Sequence, residues 1–333
     1  MNNLTTERET FIDSARGISM VLVVTWHSFD EDLFFNGPMV FLRMPLFFFM
    51  AGLFASSLLS SPALRVVKDK IGQLIWIFVL WTAILYLSRS GLEQIVKNGS
   101  LDAYPIYSMF WSPHSTIWFI YALAIAYLVV LITRQVNRLV VIVAAVGMYT
   151  WSVTYGDWAN PPFYLKVLRL LPAFIIAVWY GRKIIDISKK MSPTWPIFAL
   201  FYFSTAYGIY YSDLAKIGPV TAIVSACGIF FILTVCYQYR DSPAMRLMAA
   251  IGERSIYVFL MHRIILSYAN EGATYFGVEQ YWFVRASVLI LAIAIPATIG
   301  MYVVDKFMPW LVSAPWIKRK HNSRVFGSKT EVA

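Results

Sequence analysis

The feature that most constrains this chain is a tenfold recurrence of apolar blocks, each roughly 20 residues long, the length a helix needs to cross hydrocarbon. They cover 13–29, 38–60, 71–88, 116–133, 138–155, 163–181, 195–211, 217–237, 253–270 and 282–305. Hydrophobic residues make up 59% of the chain and charged ones 14%, too little polar surface to clothe a soluble core of 333 residues. Twelve Trp and twenty Tyr, many near block ends, suit the two membrane–water interfaces. The pattern predicts an all-α polytopic membrane protein of about ten transmembrane helices.

A net charge of +10 invites a nucleic-acid reading, but the positions of the cations assign it to topology. One side of the predicted bilayer carries Arg8 and Arg16, then Arg65, Lys68 and Lys70, then Arg134 and Arg138. It continues with Arg182, Lys183, Lys189 and Lys190, then Arg240 and Arg246, and ends with the basic stretch from Lys318 to Lys329. The loops of the other side hold Arg89, Lys97 and Lys216. The positive-inside rule then places both termini in the cytoplasm, which an even number of spans satisfies. Glu7-Arg8-Glu9 leads straight into the first block, unlike a cleavable leader. One membrane domain is expected over 1–315, with a disordered basic tail over 316–333. Cys227 and Cys236 lie nine residues apart in one block, on opposite helix faces, which excludes a disulfide between them. The four scattered histidines lack ligand spacing, so no metal site is expected.

Ionisable side chains inside the blocks carry the functional signal, since each costs on the order of 3 kcal/mol at the bilayer centre. In "FIDSARGISMVLVVTWHS", Arg16 and His27 are eleven residues apart, three helical turns plus about 20°, so they share a face roughly 16 Å apart along the axis. Asp13 falls within about 60° of the same stripe and is placed to pair with Arg16. Arg16 by itself also fits snorkelling to the headgroups, and His27 an interfacial position; the shared stripe favours function. In the second block Arg43 precedes Pro45, at the depth of His27, and Gly52 permits close helix approach. In "GERSIYVFLMHR", Ser255 and His262 share a face seven residues apart, with Arg263 beside His262 near mid-membrane. Interhelical hydrogen bonding is the plainer role for these two. His114 stands where the longest loop, from about Arg89 to Ser115, enters the fourth block, facing either an external substrate or solvent. Arg65, Lys68 and Lys70 precede the third block, where they serve topology and also offer point charges to phosphates.

Together these residues resemble the acyltransferase family 3 membrane proteins, in the branch grouped with fucose 4-O-acetylase-like sugar acetylases. Asp13, Arg16-Gly17 and His27 match the family's first-span Asp, Arg-Gly and His in spacing. "RMPLFFFMAG" is similar to its second-span Arg with a Pro-Phe-Phe-Gly run. "HSTIWFIYAL" is similar to its His-then-Trp-Phe-Leu element, with two residues inserted after His114, and "GERSIYVFLMH" to its late Gly-x-x-Ser-x-Tyr…His element. The match runs from residue 13 to residue 262. The family's Arg-x-x-Arg pair is here Arg65-Val-Val-Lys68, so a lysine point charge replaces the second guanidinium fork.

The resemblance implies O-acyl transfer from cytoplasmic acyl-CoA, acetyl-CoA first, to a hydroxyl of a sugar or lipid-linked glycan at the outer side of the plasma (inner) membrane. No tightly bound cofactor is implied. Arg16, Arg65, Lys68 and Lys70 would hold the acyl-CoA, with His27, Arg16 and Asp13 forming the catalytic column. His27 would act as general base, since imidazole titrates near neutrality, or as an acyl-histidine relay. Arg43, His114, Trp118, Ser255 and His262 would serve the acceptor or the oxyanion. Without a C-terminal esterase-like extension, transfer is expected to finish within the membrane domain. The main rival is a secondary transporter or flippase for a glycan or small anionic solute, which also uses buried Arg and His, but no paired halves with matching broken helices are visible. A structural envelope partner, whose charges serve helix packing, is the third reading.

Overall fold

A computed structural model describes residues 10–29, 37–88, 107–113, 117–156, 161–279 and 281–317. Among these residues there are eleven helices and no strand. In chain order they are α1 (Thr10–Phe29), α2 (Val40–Phe54), α3 (Ala63–Tyr86), α4 (Trp118–Thr133), α5 (Arg138–Thr154), α6 (Phe163–Lys190), α7 (Trp195–Tyr210), α8 (Gly218–Gln238), α9 (Pro243–Glu253), α10 (Ser255–Tyr275) and α11 (Trp282–Phe307). By length and composition α3, α6, α8 and α11 can each cross a membrane, and α2, α4 and α5 are shorter apolar helices.

Ten of the eleven helices coincide with the ten apolar blocks. The addition is α9, in a stretch expected to be a loop. Ser242 accepts a hydrogen bond from the Met245 amide, and Pro243 fills the first helical position, whose amide needs no partner. α9 is a strongly amphipathic helix laid against α1. Their backbones meet at Gly17 and Gly252: a Cβ at Gly17 would collide with the Met248 carbonyl, and one at Gly252 with the Asp13 carbonyl. Ser14 Oγ donates to the Met245 carbonyl across the same contact, at 2.8 Å.

α2 and α6 pack the same way. A Cβ at Gly52 would meet the Phe174 carbonyl, which makes α6 the helix that Gly52 admits. Pro45 sits inside α2, two residues after Arg43, and withholds one amide from its ladder. Around these crossings Phe48, Phe78, Phe174 and Met20 fill one apolar core, while Leu42, Leu46, Tyr202 and Leu233 fill a second.

The C-terminal residues fold back on α3 rather than leaving it. Trp76 Nε1 donates to the Trp310 carbonyl at 2.9 Å, Trp81 Nε1 to the Leu311 carbonyl at 2.7 Å, and Trp316 Nε1 to the Lys68 carbonyl at 3.1 Å. Trp316, expected to open the disordered tail, is therefore an anchor, with its ring edge-on to Trp76. The stretch from residue 318 onward lies outside the described residues. Trp81→Phe keeps the aromatic packing and removes the donor to Leu311. A loss of about 1 kcal/mol is expected, read as a melting point about 2 °C lower with faster C-terminal proteolysis.

Candidate active site

A cavity of about 390 Å³ collects the C-terminal ends of α1, α5 and α7, the N-terminal ends of α2, α4, α6 and α8, and the middle of α10. Consecutive helices from α4 to α8 therefore run in alternating directions around it, as α1 and α2 do. His27 lines it. The imidazole of His262 stacks on that of His27, ring centroids 5.4 Å apart and planes inclined by 27°.

The hydrogen bonds define how each ring presents itself. His262 is 1% exposed, and its Nδ1 faces the carbonyl oxygens of Val258 at 3.0 Å and Phe259 at 2.8 Å. Carbonyls only accept, so Nδ1 carries the proton, and the Nε2 lone pair, buried without a partner, is left for something else. Arg263 Nη1 lies 3.5 Å from His27 Nδ1, a long contact in which the guanidinium can only donate.

Arg43 supplies the opposite polarity. It is 6% exposed, its guanidinium lies 4.0 Å above the Trp26 ring, and its Nη1 is buried without a hydrogen-bond acceptor. Cation–π contact with Trp26 holds the guanidinium plane in place while leaving that N–H unspent. Ser19 Oγ donates to the Arg43 carbonyl at 3.0 Å and ties α1 to α2 two residues before Pro45. The cavity therefore holds an unsatisfied donor on Arg43 and an unsatisfied acceptor on His262, an arrangement that takes an oxygen-bearing ligand.

The predicted site residues divide into three places. His27, Arg43, Trp118 and His262 line the one cavity. Asp13, Arg16 and Ser255 form a second cluster about three turns away along α1: Arg16 Nη1 is 3.3 Å from Asp13 Oδ1, and Arg16 Nη2 donates to Ser255 Oγ at 2.9 Å. Ser255, expected on the acceptor side, thus stands with Arg16 and does not line the cavity. The stripe on α1 is matched by one on α10, Arg16 with Ser255 at one level and His27 with His262 at the other. Arg65, Lys68 and Lys70 are exposed at the start of α3, the latter two in a π-helical turn over Val67–Ile71. His114 lies outside the described residues.

Two lining cations went unnoticed in the sequence, Lys166 and Arg169 of α6. Their signal was present: two basic residues three apart, hence on one helix face, inside an apolar block. Lys166 Nζ lies 5.8 Å from the Trp118 ring centroid, and Arg169 Nη2 donates to the Ser152 carbonyl at 2.7 Å. Among the described residues no cluster of three or more His, Cys, Asp or Glu is placed to hold a metal ion.

A bundle of apolar helices enclosing a histidine pair and a poised arginine is compatible with group transfer inside a membrane. The family comparison makes the class definite: the acyltransferase family 3 model, an acyltransferase domain, matches residues 9–303, and the chain belongs to that family. Its apolar helices make it a multi-pass membrane member. Among curated proteins it is similar to the inner membrane protein YcfT of Escherichia coli (strain K12), 24% identical over 296 residues that cover 78% of this chain and 80% of YcfT. No solved structure matches it.

Proposed function

We propose that the chain moves an acyl group, acetyl in the first instance, from cytoplasmic acyl-CoA to a hydroxyl of a sugar or cell-envelope glycan at the outer side of the inner membrane. The observation that carries this is the pairing of His27 and His262 with the unspent Arg43 N–H in one cavity of a chain of this family. Ten spans with both termini in the cytoplasm fit the charge asymmetry and the alternating helix directions. They put the histidine cavity towards the outer side, with Arg65, Lys68 and Lys70 towards the acyl-CoA pool. The Arg16 cluster then lies between the two.

In this mechanism His27 takes the proton of the acceptor hydroxyl as its oxygen attacks the thioester carbonyl. Arg43 Nη1 donates to the oxyanion that develops there. Collapse of the tetrahedral intermediate breaks the carbon–sulfur bond, and the imidazolium returns its proton to the departing CoA thiolate.

The hydrogen bonds favour a second version of the proton step. In a neutral His27 whose Nδ1 accepts from Arg263, Nε2 is a donor, whereas His262 offers a fixed Nε2 lone pair. His262 is then the base, and His27 joins Arg43 at the oxyanion. Asparagine separates the versions, because its amide donates but does not take a proton. His27→Asn with turnover retained within about tenfold, and His262→Asn with turnover lost, supports the His262 base; the reverse supports His27. Transport of a glycan or anion without acyl-CoA binding would instead favour the transporter.

A further inference from the structure

The C-terminal residues that fold back on α3 end on an irregular point of that helix. Residues 309–317 run along α3 towards its start: Trp81 holds the Leu311 carbonyl, Trp76 the Trp310 carbonyl, and Trp316 Nε1 reaches the Lys68 carbonyl at 3.1 Å. The strap is fixed at its root as well. There Tyr257 Oη donates to Asp305 Oδ1 at 2.6 Å, directly after a second π-helical turn over Gly300–Val304.

Lys68 is not an arbitrary acceptor. The π-helical turn over Val67–Ile71 closes with the Gly72 amide on the Val67 carbonyl, five residues back. The α-helical stretch opens at Gly72, and in that register the next amide, of Gln73, falls to Asp69. The carbonyl passed over between them is that of Lys68, and the Trp316 N–H fills it. The indole also lies over Gly72, where a Cβ would stand 3.5 Å from Trp316 Cζ2. One extra residue in a turn rotates what precedes it by about 100° relative to the rest of the helix. Arg65, ahead of the turn, and Lys68 and Lys70, within it, therefore owe their directions to the bulge, and all three are exposed.

We infer that Trp316 is a positioning residue for a cytoplasmic polyphosphate site: its N–H locks the π-helical turn, and the locked turn aims Lys68 and Lys70 at one ligand. This deepens the acyl-transfer reading, on which it rests for the identity of that ligand, the phosphate-bearing head of acyl-CoA. Affinity for CoA thus depends on a residue 248 positions away from Lys68 that itself touches no phosphate.

Calorimetric titration of purified full-length protein in detergent with coenzyme A tests the role. Trp316→Phe keeps a ring against Trp76 and removes the N–H, and CoA is expected to bind about fivefold more weakly. Hydrogen exchange over residues 68–73 should rise in the same variant. Trp81→Phe is the control, because it loosens the same strap away from the π-helical turn: it should melt lower and bind CoA as wild type does. In a Lys68→Gln/Lys70→Gln background, Trp316→Phe should have no further effect, since the cations it orients are gone. Unchanged CoA affinity in Trp316→Phe, an equal loss in Trp81→Phe, or the same loss without the two lysines overturns the positioning role and leaves acyl-CoA binding standing. No binding of CoA by wild type removes the acyl-CoA reading and the ligand inferred here with it, an outcome that no variant can mimic.

Discussion

His27→Ala is expected to lower acyl transfer by about 10²–10⁴-fold while leaving membrane insertion and acyl-CoA binding intact. The expectation rests on position. His27 lines the histidine cavity and stacks on His262, whereas the exposed cations proposed to meet acyl-CoA sit at the start of α3. Both versions of the proton step predict the loss, because alanine supplies neither a base nor a donor to the oxyanion. Its structural cost is small for a different reason: the ring is only partly buried and its polar contact with Arg263 is long. Steady-state release of CoA by wild type and variant, with acyl-CoA binding measured in parallel, checks the prediction. A variant that binds acyl-CoA and turns over at the wild-type rate would remove His27 from the chemistry.

Gly17→Leu is expected to prevent assembly. Where α1 crosses α9 the backbones touch, and a side chain at Gly17 has only the Met248 carbonyl to enter. Overpacking against backbone admits no rotamer escape, so the penalty should reach upward of about 3 kcal/mol. Gly252→Leu meets the Asp13 carbonyl from the other side and should behave alike. Gly208→Leu is the control, since nothing lies within 4 Å of a Cβ there. Size-exclusion profile and trypsin resistance in detergent provide the readout: wild-type behaviour for the control, aggregation or rapid cleavage for the two crossing variants. A monodisperse, protease-resistant Gly17→Leu protein would contradict the close approach.

These two positions also mark how far the sequence could be read. Helical periodicity is local, so the Arg16–His27 stripe was legible from spacing alone, and the family pattern gave it meaning. What faces the stripe was not legible, because the contact of His27 with His262 joins residues 235 positions apart, and no periodicity reports on which helix turns towards which. Ser255 illustrates the limit: its face on α10 was read correctly, but its level along α10 places it with Arg16. α9 was missed because its block is short and carries Arg246 and Glu253, though Ser242-Pro243 announced its start. Lys166 and Arg169 are hard to read in the sequence because the apolar residues of the sixth block outweigh two cations on one face.

The most direct test of the central claim follows an acyl group. Purified protein in lipid nanodiscs is supplied with acetyl-CoA labelled in the acetyl group and with an envelope-glycan extract, and label transferred to glycan is counted against CoA released. The account predicts label in the glycan, matched by free CoA, for wild type and none above background for His27→Ala. Failure of wild type to bind acetyl-CoA or any other acyl-CoA, with glycan or anion transport intact, would contradict it.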